Sequence, residues 1–111
     1  MSREADELAE RIRMVIGDDP NISEKRMFGG IAFMLNGNML VGPMKDGALL
    51  VRVGKAAYPA ALAEPGSGPM TFTGREMPGY VEVRDHGIES DDDLTRWIAL
   101  ATDFFATLPA K

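Results

Sequence analysis

The first apolar pattern along the chain has the period of an α-helix. Between Ser2 and Ile16 the apolar residues return to one face of a helix: Ala5, Leu8, Ala9, Ile12, Val15 and Ile16. Ser2 is a suitable N-cap, and Gly17 is a suitable C-terminal glycine before Pro20, which prevents continuation. This segment therefore predicts one amphipathic helix.

The pattern then changes to three short apolar runs between Lys25 and Val53, divided by Asn36-Gly37 and Asp46-Gly47. Both pairs favour two-residue hairpin turns, so we predict three antiparallel strands. The preceding segment, from Ser23 to Phe28, is expected to be extended or irregular and to break at Gly29-Gly30.

Two-residue turns also predict which residues lie opposite one another. The expected pairs are Met34 with Met39, Ala32 with Val41, Met44 with Leu49, and Val41 with Arg52. The resulting core face carries Ile31, Phe33, Leu35, Leu40, Met44, Leu49, Val51 and Val53. The other face carries Ala32, Met34, Asn36, Met39, Val41, Pro43, Leu50 and Arg52.

This second face is informative because the outward face of an antiparallel sheet is usually polar, whereas this one is largely apolar. One interpretation is that a helix of the same chain covers it, or that the register differs. The other is a partner surface, most simply that of a homodimer. The candidate interface residues are Met34, Met39, Val41 and Leu50.

The second half of the chain predicts a short helix, two strands and a long helix. The helix within Lys55–Ala63 should begin near Ala57 or Tyr58, because Pro59 is tolerated only in the first turn. Strands are expected at Met70–Thr73 and Tyr80–Arg84, and Ser90 should cap a final helix that contains the only tryptophan. The order α–β–β–β–α–β–β–α predicts a single domain over residues 1–111, a two-layer α+β fold with an antiparallel sheet.

Composition restricts the possible chemistry. The 111 residues include no cysteine, which excludes disulfides and thiolate sites, and the net charge of -5 disfavours nucleic acid as a partner. The charged N-terminus is unlike a signal peptide, and no apolar run is long enough to span a bilayer. We expect a cytoplasmic protein without membrane association.

No catalytic, metal or cofactor motif is present, so we expect neither an enzyme nor a cofactor. His86, with Asp85 and Glu89 nearby, is more typical of a surface loop than of a metal site, because no second histidine exists. The acidic residues 91–93 are explained by a helix N-terminus. The eight methionines are more typical of core or interface residues than of a copper site.

Several cationic and glycine residues are candidates for contact with an anionic ligand. These are Lys25, Arg26, Gly29, Gly30, Arg52 and Arg75. Arginine can hold a carboxylate or phosphate in a bidentate fashion, and backbone N–H groups of glycines can cradle an anion. The alternatives are internal ion pairs for the arginines and a bulge or tight bend for the glycines.

Several segments together resemble the TfoX N-terminal domain family. They are Lys25–Phe33, Asn36–Met39, Leu50–Gly54, Tyr58 with Ala61 and Leu62, Phe72–Gly79, and Leu94–Trp97. The resemblance implies an α+β fold similar to secretion-chaperone-like domains. The family is named for regulators of natural competence that carry a further C-terminal domain. Because this chain ends at Lys111, we expect a stand-alone domain that lacks it.

Three functional hypotheses follow. The first is a regulatory or protein-binding domain, a homodimer through the sheet, with another protein as a further possible partner. The second is a small-molecule or anion-binding module that uses Arg26, Arg52 and Arg75 in one cleft. The third is direct DNA binding, which the acidic composition disfavours.

Overall fold

The computed structural model describes residues 3–17, 19–27, 30–44, 46–72 and 74–108. Within them, the elements are α1 (Arg3–Ile16), β1 (Ile22–Met27), β2 (Gly30–Leu35), β3 (Asn38–Pro43), β4 (Leu49–Arg52), α2 (Tyr58–Leu62), β5 (Ser67–Phe72), β6 (Arg75–Val83) and α3 (Asp91–Phe105). A 3-10 turn (Asp85–Gly87) precedes α3. The predicted α+β class and its antiparallel sheet are confirmed, with β1 as an additional strand where only an extended or irregular segment was expected.

All strands form one antiparallel sheet in the order β1-β2-β3-β4-β6-β5. The helices α1 and α3 contact each other and pack against the central strands, while α2 contacts β5 and β6. We call the side of the sheet that α1 and α3 cover the inner face, and the opposite side the outer face. No helix in the described part of the chain is long and apolar enough to cross a membrane.

The main core lies between the inner face and the helices. Phe33, Val41, Val51 and Val81 line up across four neighbouring strands and are at most 1% exposed. Trp97 of α3 is fully buried against them, and its Nε1–H donates to the Gly87 carbonyl at 3.2 Å. A buried indole N–H thus has its partner, which fixes the orientation of the largest core side chain.

A β-bulge changes the register between β2 and β3. Met34 lies opposite Met39 as predicted, but Phe33, not Ala32, lies opposite Val41. Leu40 is therefore an additional residue in β3, and successive side chains at a bulge do not alternate strictly between faces. Leu40 and Val41 both enter the main core for this reason. The prediction that Val41 faces outward is wrong.

The second hairpin turn is longer than the two-residue turn that was predicted. The Met44 N–H donates to the Ala48 carbonyl at 2.8 Å, and the Gly47 N–H donates to the Met44 carbonyl at 2.9 Å. Val41 consequently pairs with Val51, and Pro43 pairs with Leu49. The predicted pairs of Met44 with Leu49 and of Val41 with Arg52 are wrong, and Met44 packs on the outer face instead of in the core.

The helix ends follow the sequence signals. Gly17 has φ +70° and closes α1 through its N–H to the Arg13 carbonyl at 2.9 Å. Tyr58 begins α2, and the Ser90 Oγ accepts from the Asp93 N–H at 3.1 Å at the start of α3. The predicted cap at Ser2 lies outside the described residues.

Candidate functional site

The outer face carries a second apolar cluster, which we call the methionine face. Four of its residues are buried and four are half-buried, and these are, in that order, Ala32, Met39, Leu50 and Met70, then Met34, Met44, Met77 and Tyr80. All eight belong to strands or to the turn after β3. Within the described ranges, no helical residue belongs to this cluster, so the strands and their own side chains form it.

Methionine dominates this face. Five of the eight methionines in the chain lie there. Methionine is unbranched and polarisable, and it adapts to different partner shapes more readily than valine or isoleucine does. The inner core uses branched and aromatic side chains instead, which have fewer rotamers and specify one packing arrangement. The outer face thus has the composition of an adaptable contact surface.

One row of residues crosses the outer face from a positive to a negative end. Lys25 of β1 pairs with Ala32, Gly42 pairs with Leu50, and Leu50 pairs with Glu82. Because Phe33 lies opposite Val41, Ala32 lies beside Gly42, which joins the two halves of the row. The row has a lysine at one end, small or apolar residues in the middle, and a carboxylate near the other end.

The two ends of this row differ in their neighbours. Lys25 is exposed and has no ion-pair partner among the described residues. Glu82, with 17% of its side chain exposed, pairs with Arg84, which also pairs with Asp46. The Arg84 guanidinium lowers the pKa of Asp46 below its usual value, chiefly by hydrogen bonding. Asp46 is therefore ionised near neutral pH, and Arg84 bridges two carboxylates.

The structure does not bring the predicted anion-contact residues into one site. Lys25 and Arg26 are exposed on the edge strand β1, Gly30 is buried at the start of β2, and Gly29 lies outside the described residues. Arg75 is exposed at the start of β6, opposite Phe72. β1 and β4 are three strand spacings apart, about 14 Å, which separates Arg26 from Arg52.

Arg52 lies in a cavity of about 410 Å³ beside the end of β4. The other lining residues are Gly54, Lys55, Ala56, Pro78, Gly79, Tyr80 and Phe104. The Arg52 guanidinium carbon is 5.7 Å from the centre of the Tyr80 ring and 5.2 Å from that of Phe104. Both rings therefore lie within cation–π range of this half-buried arginine.

A scan against protein families matches residues 16–105 to the TfoX N-terminal domain. The match begins at the last residue of α1 and ends at the last residue of α3, so it includes the entire sheet. The chain belongs to the TfoX N-terminal domain family. Neither a search of curated proteins nor a search of solved structures found a match.

The interface residues predicted for this TfoX N-terminal domain are divided between its two faces. Met34, Met39 and Leu50 belong to the methionine face, whereas Val41 is fully buried in the main core. Sequence reasoning missed Met44, Met70, Met77 and Tyr80, which complete the face. The alternation of a regular strand gave no signal for Met44, because residues five apart point to opposite faces, and Met39 and Met44 share a face only in the presence of the bulge at Leu40.

The histidine and the acidic segment of this TfoX N-terminal domain lie at its surface. His86 is exposed in the 3-10 turn, and Asp91, Asp92 and Asp93 occupy the first turn of α3. Among the described residues, no group of three histidine or carboxylate side chains is arranged to hold a metal ion. The favourable interaction of the three carboxylates with the helix dipole explains their position.

Proposed function

We propose that this chain is a non-enzymatic regulatory domain that binds protein, and that its first partner is a second copy of itself at the methionine face. The observation that carries the proposal is the outer apolar cluster to which, in the described ranges, no helix contributes. The half-buried members of the face leave apolar surface accessible to a partner, and exposed apolar patches on soluble domains often mark contact surfaces. A methionine-rich patch is also suited to adaptable contacts.

The edges of the sheet are poorly suited to assembly, which favours the face. The edge strand β1 carries Glu24, Lys25 and Arg26 in succession, and the other edge, β5, contains Pro69. Charged side chains and proline are the devices by which natural sheets prevent the pairing of edge strands. Contact between two copies through the outer face avoids both edges.

The charged row across the outer face is complementary to itself. A two-fold axis parallel to the strands, between β3 and β4, would place the β1 side of one copy opposite the β6–β5 side of the other. Lys25 of each copy then lies opposite β5, one strand spacing from Glu82 of the other copy, and Leu50 lies over Gly42. Opposite charges are neighbours near the rim while apolar residues meet at the centre.

The size of the sheet sets the expected strength of the dimer. With about 4.8 Å between strands and 3.3 Å per residue, six strands of six residues cover roughly 570 Å² in projection. Stable interfaces bury about 800 Å² on each partner. We therefore expect a weak, concentration-dependent dimer with a dissociation constant in the micromolar range, as suits a regulatory contact.

Membership in the TfoX N-terminal domain family supports the regulatory part of the proposal. That family is named for regulators of natural competence, and regulators commonly act by changing their protein partners. The self-contact and the contact with a further protein would then use the same adaptable face and would compete with each other.

A charge-swap experiment tests the proposed dimer. Lys25→Glu and Glu82→Lys should each weaken dimerisation about threefold to thirtyfold, because each places like charges at both symmetric ends of the interface. The double variant should recover most of the lost affinity. Arg26→Glu is the matched control, since its side chain points to the inner side of the same strand. Sedimentation equilibrium over a concentration series measures all four, and circular dichroism confirms folding.

Three results would contradict the proposal. The first is a wild-type chain that remains monomeric up to millimolar concentration. The second is a double variant that dimerises no better than the single variants. The third is an Arg26→Glu control that weakens the dimer as much as Lys25→Glu does.

A further inference from the structure

We propose that the cavity around Arg52 binds a small monocarboxylate with an apolar body, held by Arg52 and Lys55. This site adjoins the proposed dimer contact, since Tyr80 belongs to both, and its ligand goes beyond the function proposed above. The ligand class follows from the charges, the lining and the volume of the cavity, as argued below.

Arg52 has donors available for a ligand. Among the described residues its guanidinium makes no hydrogen bond and no ion pair, and its recorded contacts are with the faces of two rings. Lys25, Arg26 and Arg75 also lack an ion pair among the described residues, but they are exposed, whereas Arg52 is half-buried. Stacking against Tyr80 and Phe104 limits the rotamers of the arginine while leaving its N–H edge unoccupied. A guanidinium held in this way can donate two parallel hydrogen bonds to one carboxylate.

The charge of the cavity is opposite to that of the whole chain. Its described lining includes Arg52 and Lys55 and no carboxylate, although the net charge of the protein is -5. A positive potential at the cavity favours an anionic ligand over a neutral or cationic one, although the molecule as a whole is acidic. By contrast, a second cavity of about 370 Å³ beside α1 is lined by five carboxylates and Arg11.

The remaining lining indicates that the anion carries an apolar body. Besides the two rings, Ala56, Pro78 and the two glycines line the cavity, and its volume of about 410 Å³ lies within the range of small-molecule sites. Phosphate could pair with Arg52 and Lys55 but would leave the apolar wall of the cavity without a partner. A carboxylate attached to a ring or short alkyl group uses both the fork and the apolar wall.

The backbone around the cavity is built to keep it open. Gly54 has φ +83°, and a Cβ there would lie 2.3 Å from Cδ1 of Phe104, so the ring can occupy its place only beside glycine. The carbonyl of Gly79, itself at φ +94°, accepts hydrogen bonds from the N–H groups of Val53 at 2.8 Å and Gly54 at 3.0 Å. These two bonds hold the end of β4 against β6, so the cavity is formed before any ligand arrives.

The direct test is titration with phenylacetate, followed by ¹⁵N NMR of the backbone amides. We expect saturable shifts that include Gly54, Lys55 and Gly79. Phenylacetamide has nearly the same shape without the charge and should bind at least about tenfold more weakly. Inorganic phosphate should bind more weakly than phenylacetate. Equal affinity for the acid and the amide, tighter binding of phosphate, or no saturable shift at these three amides would overturn the proposal.

Variants identify the side chain responsible. Arg52→Met keeps an unbranched apolar stem while removing the donors, and it should lose at least about tenfold in phenylacetate affinity. Arg75→Met removes an exposed arginine outside the cavity and should leave the affinity unchanged. Arg52→Lys retains the charge without the fork and should fall between wild type and Arg52→Met. Equal losses in Arg52→Met and Arg75→Met, with both variants folded by circular dichroism, would mean a non-specific charge effect and would overturn the assignment.

Discussion

The two faces of the sheet use the same strands but different side chains. On β4, for example, Leu49 and Val51 enter the main core beneath the helices, while Leu50 between them belongs to the methionine face. The inner face meets α1 and α3, whereas the described part of the chain places no helix in the outer cluster. Burial alone does not separate the faces, since Leu49 is 0% exposed and Leu50 is 3% exposed. The two faces differ instead in which elements cover each residue and in how readily the neighbouring side chains can move.

This difference has a physical consequence. Inner-face side chains are fixed between two layers, so a vacancy there cannot close easily. Outer-face side chains have one layer beneath them and flexible methionines beside them, which can move into a vacancy. Substitutions on the inner face should therefore reduce folding stability, whereas those on the outer face should mainly change association.

The largest effect expected is at the matched pair Leu49 and Leu50. Leu49→Ala should lower the free energy of unfolding by about 3–5 kcal/mol, because it leaves a cavity under the helices. Leu50→Ala should lower it by about 1–2 kcal/mol, because the methionines beside it can collapse inward. Urea denaturation of dilute, monomeric protein measures both. Equal losses at the two positions would contradict the distinction between the faces.

A smaller effect is expected at Val41, where the bulge brings two successive residues into the core. Val41→Thr keeps the shape but buries a hydroxyl, and it should cost about 1–3 kcal/mol of folding stability without weakening the dimer. If Val41 lay on the outer face, threonine would be nearly neutral for folding. A variant of wild-type stability with weaker association would therefore show that Val41 belongs to the contact surface.

The smallest effect concerns the two sides of β1. Glu24 points inward and accepts from the Nε–H of Arg13 on α1 at 2.8 Å, whereas Lys25 points outward without a partner among the described residues. This hydrogen bonding lowers the pKa of Glu24 below its ordinary value of 4.5. A lowered carboxyl pKa stabilises the fold above pH 4.5, and this stabilisation is lost as the pH falls through the lower folded-state pKa.

Glu24→Gln should therefore cost about 0.5–1 kcal/mol at neutral pH, since the pair is partly exposed. The difference from wild type should close as acid protonates Glu24. Lys25→Gln should leave the stability of the monomer unchanged at every pH. Urea denaturation at several pH values between neutrality and strong acid measures both variants, and a pH-independent cost of Glu24→Gln would exclude the ion pair as its cause.

The sequence predicted local structure better than it predicted register. Helix ends at Gly17, Tyr58 and Ser90 depend on nearby residues, and Asn36-Gly37 gives the expected Met34–Met39 pair. The bulge at Leu40 places both Leu40 and Val41 in the core beneath the helices, and no local sequence pattern predicts it. One additional residue is enough to move Val41 from one face to the other.

The candidate sites, like the strand register, could be predicted only in part from the sequence. The alternation of inward and outward positions predicted an apolar second face, because Met34, Met39 and Leu50 all fall at outward positions of their strands. Phe104 and Arg52 are 52 positions apart in the chain, and their stacking depends on how α3 ends beside β4. The cationic candidates could not be sorted for the same reason: only the strand order shows that Arg26 and Arg52 are distant.

The central claim is that the methionine face is a contact between two copies, and the solution mass tests it most directly. Light scattering coupled to size-exclusion chromatography, over a concentration series, should show wild-type protein approaching the mass of a dimer. Met34→Glu should remain a folded monomer, because its half-buried side chain can turn toward solvent in the monomer but not in the contact. Met14→Glu, at a position 85% exposed on α1, should behave as wild type. A dimer that Met34→Glu leaves intact, or a wild-type chain that stays monomeric throughout, would contradict the account.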